Sequence, residues 1–201
     1  MKCVVISTLA LLVVPILSAC GSSTPTDGAD VPITPLATRG EPHEVALRGE
    51  GTAEITGMQF APGFPGGRST FDGRCSVPSD YVIEFGGTGQ VSHLGQVTIV
   101  FEHCSQIDFV TGNVTYSDGV LTYIAANGDE LWGTYGNGTG APVSATEVGW
   151  QDTFVLDGGT GRFAGASGTG VDWGTTHAET GHTTYELDGV IVYAACDRAD
   201  N

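Results

Sequence analysis

Beyond the first twenty residues the chain holds three cysteines, Cys75, Cys104 and Cys196, and what they can do depends on their neighbours. A catalytic thiolate needs a base or a cation beside it. Past residue 19 the chain has six arginines and no lysine, so a structural role is favoured over a nucleophilic one. Three single pairings are open. We expect Cys75–Cys104, which joins the loop before one strand to the end of another near His103, with Cys196 free or paired between molecules. A closure of that size is worth about 3–4 kcal/mol on loop entropy alone. The five histidines are His43, His93, His103, His177 and His182. His93 and His103 flank the segment Leu94–Glu102, and His177 and His182 flank a turn. Two histidines plus an acid could hold zinc, but no H-E-x-x-H spacing is present. They are read as turn or surface residues, His93 bonding a neighbouring turn, and no metal is assigned.

Gly168-Thr169-Gly170-Val171-Asp172-Trp173-Gly174 echoes glycine-aspartate calcium repeats. Such sites need a stacked repeat, so turns explain the stretch from Gly158 to Gly174 better. There is no G-x-S-x-G elbow, P-loop or dinucleotide fingerprint. Trp132, Trp150, Trp173 and the tyrosines could line a barrel mouth, with core or girdle positions the favoured account. No residue is given a catalytic role, ligand contacts stay unassigned, and no cofactor is expected.

Composition narrows the classes further. The formal charge is −16, from 7 basic and 23 acidic side chains. That excludes a phosphate-tracking nucleic-acid binder and electrostatic docking on anionic lipid. Met1-Lys2 followed by the mostly apolar run Cys3–Leu17 has the layout of an export signal, and Pro15 argues against a stable membrane helix. The segment Leu17-Ser18-Ala19-Cys20 resembles the lipobox of bacterial lipoproteins. That resemblance implies cleavage before Cys20 and acylation of it, palmitate included, so the membrane becomes a partner through a lipid. Gly21, where an inner-membrane signal would carry aspartate, implies the outer membrane in a two-membrane envelope. The expected organisation is a signal peptide at 1–19, a lipidated N-terminus and linker at 20–43, and a folded domain at 44–201. The Ser-, Thr- and Pro-rich linker has a coil-like reach on the order of 25 Å.

From about Glu44 onward the dominant pattern is period two, broken by glycine turns. Val97, Ile99 and Phe101 alternate with Gln96, Thr98 and Glu102. Further strands are expected at Tyr81–Phe85, Val120–Ala126, Asp129–Tyr135, Thr146–Leu156, Gly168–His177 and Thr183–Ala195. Asp118-Gly119 and Asn127-Gly128 read as hairpin turns. Gly86–Gly89 and Gly158–Gly161 read as two similar turns, and Gly189 as a bend or bulge. The 31 glycines discourage helices and favour a curved sheet. The expected fold is all-β, an antiparallel closed barrel of about eight strands, with a β-sandwich as the alternative.

Three segments then carry a resemblance. Gly89-Gln90-Val91-Ser92-His93-Leu94-Gly95-Gln96-Val97-Thr98 is the first and Ala126-Asn127-Gly128-Asp129-Glu130-Leu131-Trp132-Gly133-Thr134 the second. The third is Gly158-Gly159-Thr160-Gly161-Arg162-Phe163-Ala164-Gly165-Ala166-Ser167-Gly168. In this order they resemble exported bacterial proteins with an allene oxide cyclase-like, calycin-type β-barrel. The resemblance implies a small barrel able to hold an apolar ligand. No residues match the plant cyclase's catalytic set, so that activity is not implied. The expected function is a lipid-anchored cell-envelope binding or structural module, leaning away from an enzyme. The alternative is an isomerase or cyclase, which would require polar side chains converging inside the barrel.

Overall fold

The computed structural model describes residues 42–194. The expectations for Cys20, for Cys196 and for most of the linker lie outside these residues. Eight strands form the described chain: β1 (His43–Phe60), β2 (Tyr81–Val91), β3 (Gly95–Ile107), β4 (Val114–Ala125), β5 (Glu130–Pro142), β6 (Glu147–Gly159), β7 (Ser167–His177) and β8 (Thr183–Tyr193). Each pairs antiparallel with the next, and β8 returns to β1, from His43 opposite Tyr193 to Ala53 opposite Thr183. The result is a closed up-and-down barrel, as the alternation predicts, and it leaves no edge strand unpaired. Most inward positions are apolar; outward ones, such as Glu50, Glu54, Glu186 and Asp188, are charged and exposed. Membrane-spanning barrels have the opposite polarity.

Several glycine readings change on contact with the fold. Gly86–Gly89 is strand, paired with Glu54, Ala53, Thr52 and Gly51 of β1, whereas Gly158–Gly161 does end β6 and open a turn. The two stretches are therefore not equivalent. Asp118-Gly119 is not a hairpin turn but a bulge within β4 opposite His103, with Asp118 at φ 55°. Asn127-Gly128 is the expected turn, with Gly128 at φ 86°. Gly189 sits in unbroken register, so it is no bulge. A Cβ there would come within 2.5 Å of the Thr169 carbonyl oxygen, so glycine permits close strand approach.

The barrel's two ends differ. One is closed by the β2–β3, β4–β5 and β6–β7 turns over fully buried Leu47, Val91, Leu131, Leu156 and Ile191. Phe163, on a short 3-10 turn (Gly161–Phe163), plugs this end, and Arg162 lies 4.8 Å over its ring while donating to the Leu94 carbonyl. The other end is open. Beside it, residues 61–80 cross the outer face of β2 and β3, burying Phe71 against Val82 and Cys104. The Cys75–Cys104 disulfide pins this segment down, in the expected pairing. Asp80 is fully buried beneath it, accepting from the Ile107 amide at 2.7 Å and paired with Arg68.

Candidate functional site

The open end leads into a lumen of about 320 Å³. Ile55, Ile83, Ile99 and Leu121 line it with aromatic side chains, as a ligand pocket requires. Around its mouth Phe60, Phe64 and Phe109 form an aromatic chain at 4.5 and 5.7 Å between centroids, next to exposed Val110.

A polar set lies deeper, and strand phase places each member. Trp150, Asp152, Phe154 and Leu156 share the inward face of β6, so Asp152 points where an apolar residue would be expected. Register sets Asp172 of β7 directly opposite it. Asp152 is 5% exposed, and its Oδ2 accepts from the Tyr116 hydroxyl of β4 at 2.7 Å. The Oδ1 atoms of both acids are buried without a donor. Two desolvated carboxyls side by side hold a proton between them. Burial first, then the hydrogen bond and charge of Asp152, push Asp172 up to about 9. Burial also raises Asp152. The Tyr116 phenol is raised by burial and by the charge of Asp152, so it remains a donor.

His103 extends the inward phase of Val97, Ile99 and Phe101. The sequence reading placed it at a turn or on the surface; it instead stacks on Tyr116 at 4.6 Å inside the lumen. Burial lowers it to about 3, so it is neutral. Tyr135 Oη lies 2.8 Å from His103 Nδ1 and donates to the Glu102 carbonyl at 3.1 Å. A carbonyl only accepts, so the network assigns the imidazole proton to Nδ1 and leaves the Nε2 lone pair without a protein partner among the described residues.

The other sequence candidates do not join this set. His93 is an exposed turn residue at φ 64°, and the neighbouring Ser92, not His93, bonds Arg48 and Ala46. His103 and His93 are thus at opposite ends of the barrel. His177 accepts weakly from Glu179 and Thr180 in the β7–β8 turn, and His182 pairs with Glu54 at 2.6 Å on the surface. Asp172 lies in β7, within the strand expected at Gly168–His177, so turns account only for the earlier part of the stretch from Gly158 to Gly174. Trp132 and Trp173 lie on the outer surface at 37% exposure, against the core reading, while Trp150 faces the lumen. Tyr116, Tyr123, Tyr135 and Tyr185 also line it.

Sequence reasoning missed Asp152, Asp172 and Tyr116 because they come from three strands. One signal was available: an acid in the apolar phase of β6. Compared with known proteins, the chain matches no protein-family model and no curated protein.

Proposed function

We propose that this protein is a binding module of the bacterial cell envelope, anchored by a lipid on Cys20, whose barrel lumen holds a small, mainly apolar ligand. The lipobox-like segment supports the anchor, and Gly21 after it supports an outer-membrane location if the host has two membranes. The open lumen carries the ligand reading: about 320 Å³, apolar walls, and one end sealed by a packed core. β1 begins at the sealed end, so the described chain starts away from the mouth. The three segments resembling allene oxide cyclase-like proteins support a barrel of that class and lie at its sealed end.

Native mass spectrometry of the full chain, purified from its host in mild detergent, tests this. The expected result is a reproducible mass excess, lost on denaturation. A bare polypeptide, together with no uptake of a neutral apolar dye, sinks the ligand reading.

A second reading has one observation in its favour. Asp152, Asp172, Tyr116 and His103 converge in the lumen, and Asp172 is a carboxylic acid held protonated near neutral pH. That is what an isomerase or cyclase site would need. Comparing the molecule recovered from wild type with that from Asp172→Asn separates the readings. The same molecule in both means binding; a different one in the variant means conversion.

A further inference from the structure

We infer that the lumen takes an organic ammonium: a small amine with an aromatic or aliphatic body, its nitrogen seated between Asp152 and Asp172 and the surrounding ring faces. This rests on the lumen being a ligand site.

The first argument is charge. Among the described residues, Asp152 and Asp172 are the only carboxyl side chains lining the lumen, and no arginine or lysine lines it. Arg48, Arg68, Arg74 and Arg162 have acidic partners away from the lumen lining. Tyr116 gives Asp152 one hydrogen bond, the shared proton links the two acids, and no other described residue donates to either Oδ1 atom. Desolvated carboxyls without a counter-ion cost several kcal/mol, and a shared proton offsets that only in part. An ammonium group brings both the missing charge and the missing donors.

The second argument is independent of the acids. Tyr116, Tyr123, Tyr135, Trp150, Tyr185 and Phe101 present rings to the same cavity. Aromatic faces attract cations, most strongly where water is excluded. The Tyr185 hydroxyl, in a residue 6% exposed, has no partner, so it offers a further acceptor.

Other ligand classes fit less well. A fatty acid or other anion would meet two carboxyls and no cation. A hard divalent ion wants six or more oxygens. Among the described residues no group of three or more His, Cys, Asp or Glu could supply such a site. The net charge of −16 raises the local concentration of cations around the protein.

Binding is coupled to protons. The groups facing the acid pair are His103 on β3, Tyr116 and Tyr123 on β4, Tyr135 on β5 and Tyr185 on β8, none of them cationic near neutrality, while Tyr81 of β2 and His177 at the end of β7 line the cavity toward its mouth. When the ammonium binds, the shared proton leaves to the buffer and both carboxylates face the nitrogen. Affinity therefore rises as pH rises toward the pair's upper ionisation, so long as the amine itself stays protonated.

Calorimetric titration of the full chain, held in a steroid-based detergent too bulky for the cavity, uses two probes of matched shape, phenethylamine and 2-phenylethanol. At pH 8 we expect phenethylamine to bind at least about tenfold more tightly, and buffers of different ionisation heat to report release of about one proton per amine. Asp172→Asn should erase the preference, bringing the two probes to within about twofold of each other, and abolish the proton release. Asp152→Asn should do the same; Asp172→Asn, at the less buried position, keeps the test readable if that variant misfolds. Equal binding of both probes overturns the ammonium inference and leaves the lumen a ligand site. Failure of both probes and of a neutral apolar dye overturns both readings together.

Discussion

The closed and open ends of this barrel are built from the same strands to opposite specifications. At the closed end Leu47, Val91, Leu131, Leu156, Phe163 and Ile191 are buried to 0–1% exposure and pack in one apolar cluster. At the open end the same inward phase carries Asp152, Asp172, His103 and five tyrosines around empty space. A protein shaped by stability alone would fill that space with leucine. Stability is concentrated where nothing needs to bind, and unfavourable polar burial is tolerated where something can. The end that holds the fold together is not the end with room for a ligand.

The comparison breaks most directly at Phe163. Phe163→Ala unplugs the closed end and should cost about 3–5 kcal/mol in urea denaturation. A loss under about 1 kcal/mol would mean that the closed end is not the stabilising one. Next in size is the strap beside the open end. Cys75→Ser with Cys104→Ser removes a closure across 29 residues and should cost about 3–4 kcal/mol, since the cross-link acts mainly on the unfolded chain. The open end owes much of its stability to this covalent strap, so reduction should expose the segment 61–80 to protease before the closed end opens.

How much of this was legible in sequence follows the same division. Val97-Ile99-Phe101 and Tyr185-Leu187-Ile191 are pure period two, and one face of each is inside. The three family-resembling segments all map to the closed end, forming its β2–β3, β4–β5 and β6–β7 turns. A resemblance carried by those turns speaks for the barrel and is silent on the lumen. Interior glycines misled, because Gly87 and Gly189 mark close strand packing while Gly128 marks a turn, and composition alone does not separate the two uses. The polar set was hidden for a different reason. Asp152 and Asp172 are twenty residues apart in sequence and opposite one another only through the β6–β7 register. His103 looked like a strand-end residue because the strand runs four residues beyond it.

A smaller change sharpens the open end's side of the comparison. The Asp172 carboxyl is raised in the folded protein, so the folded state binds more protons than the unfolded state between the ordinary carboxylate range and about pH 9. Its contribution to stability is fully present below about pH 4 and is lost as pH rises toward 9. Wild type should therefore lose stability between pH 5 and pH 9, and Asp172→Asn should flatten that slope. At pH 8 the variant should be the more stable by on the order of 2 kcal/mol, read from urea midpoints at each pH. An unchanged slope would show that the acid pair is hydrated and ionised as at any surface.

The smallest effects are the most discriminating, because they compare two phenols in one cavity. Tyr116 donates to Asp152, whereas the Tyr185 hydroxyl is buried with no partner. Tyr116→Phe should cost about 1–2 kcal/mol, since it strips a charged acceptor of its donor, and should raise the Asp152 carboxyl further. Tyr185→Phe removes a desolvated group that gains nothing from folding, so it should leave stability unchanged or raise it by up to about 1 kcal/mol. Equal losses would mean that both hydroxyls are satisfied in solution, Tyr185 by water. The opposite signs expected here would show a hydroxyl that the fold does not require. Its remaining use is to a ligand, and Tyr185→Phe should then weaken amine binding while the folded protein becomes no less stable.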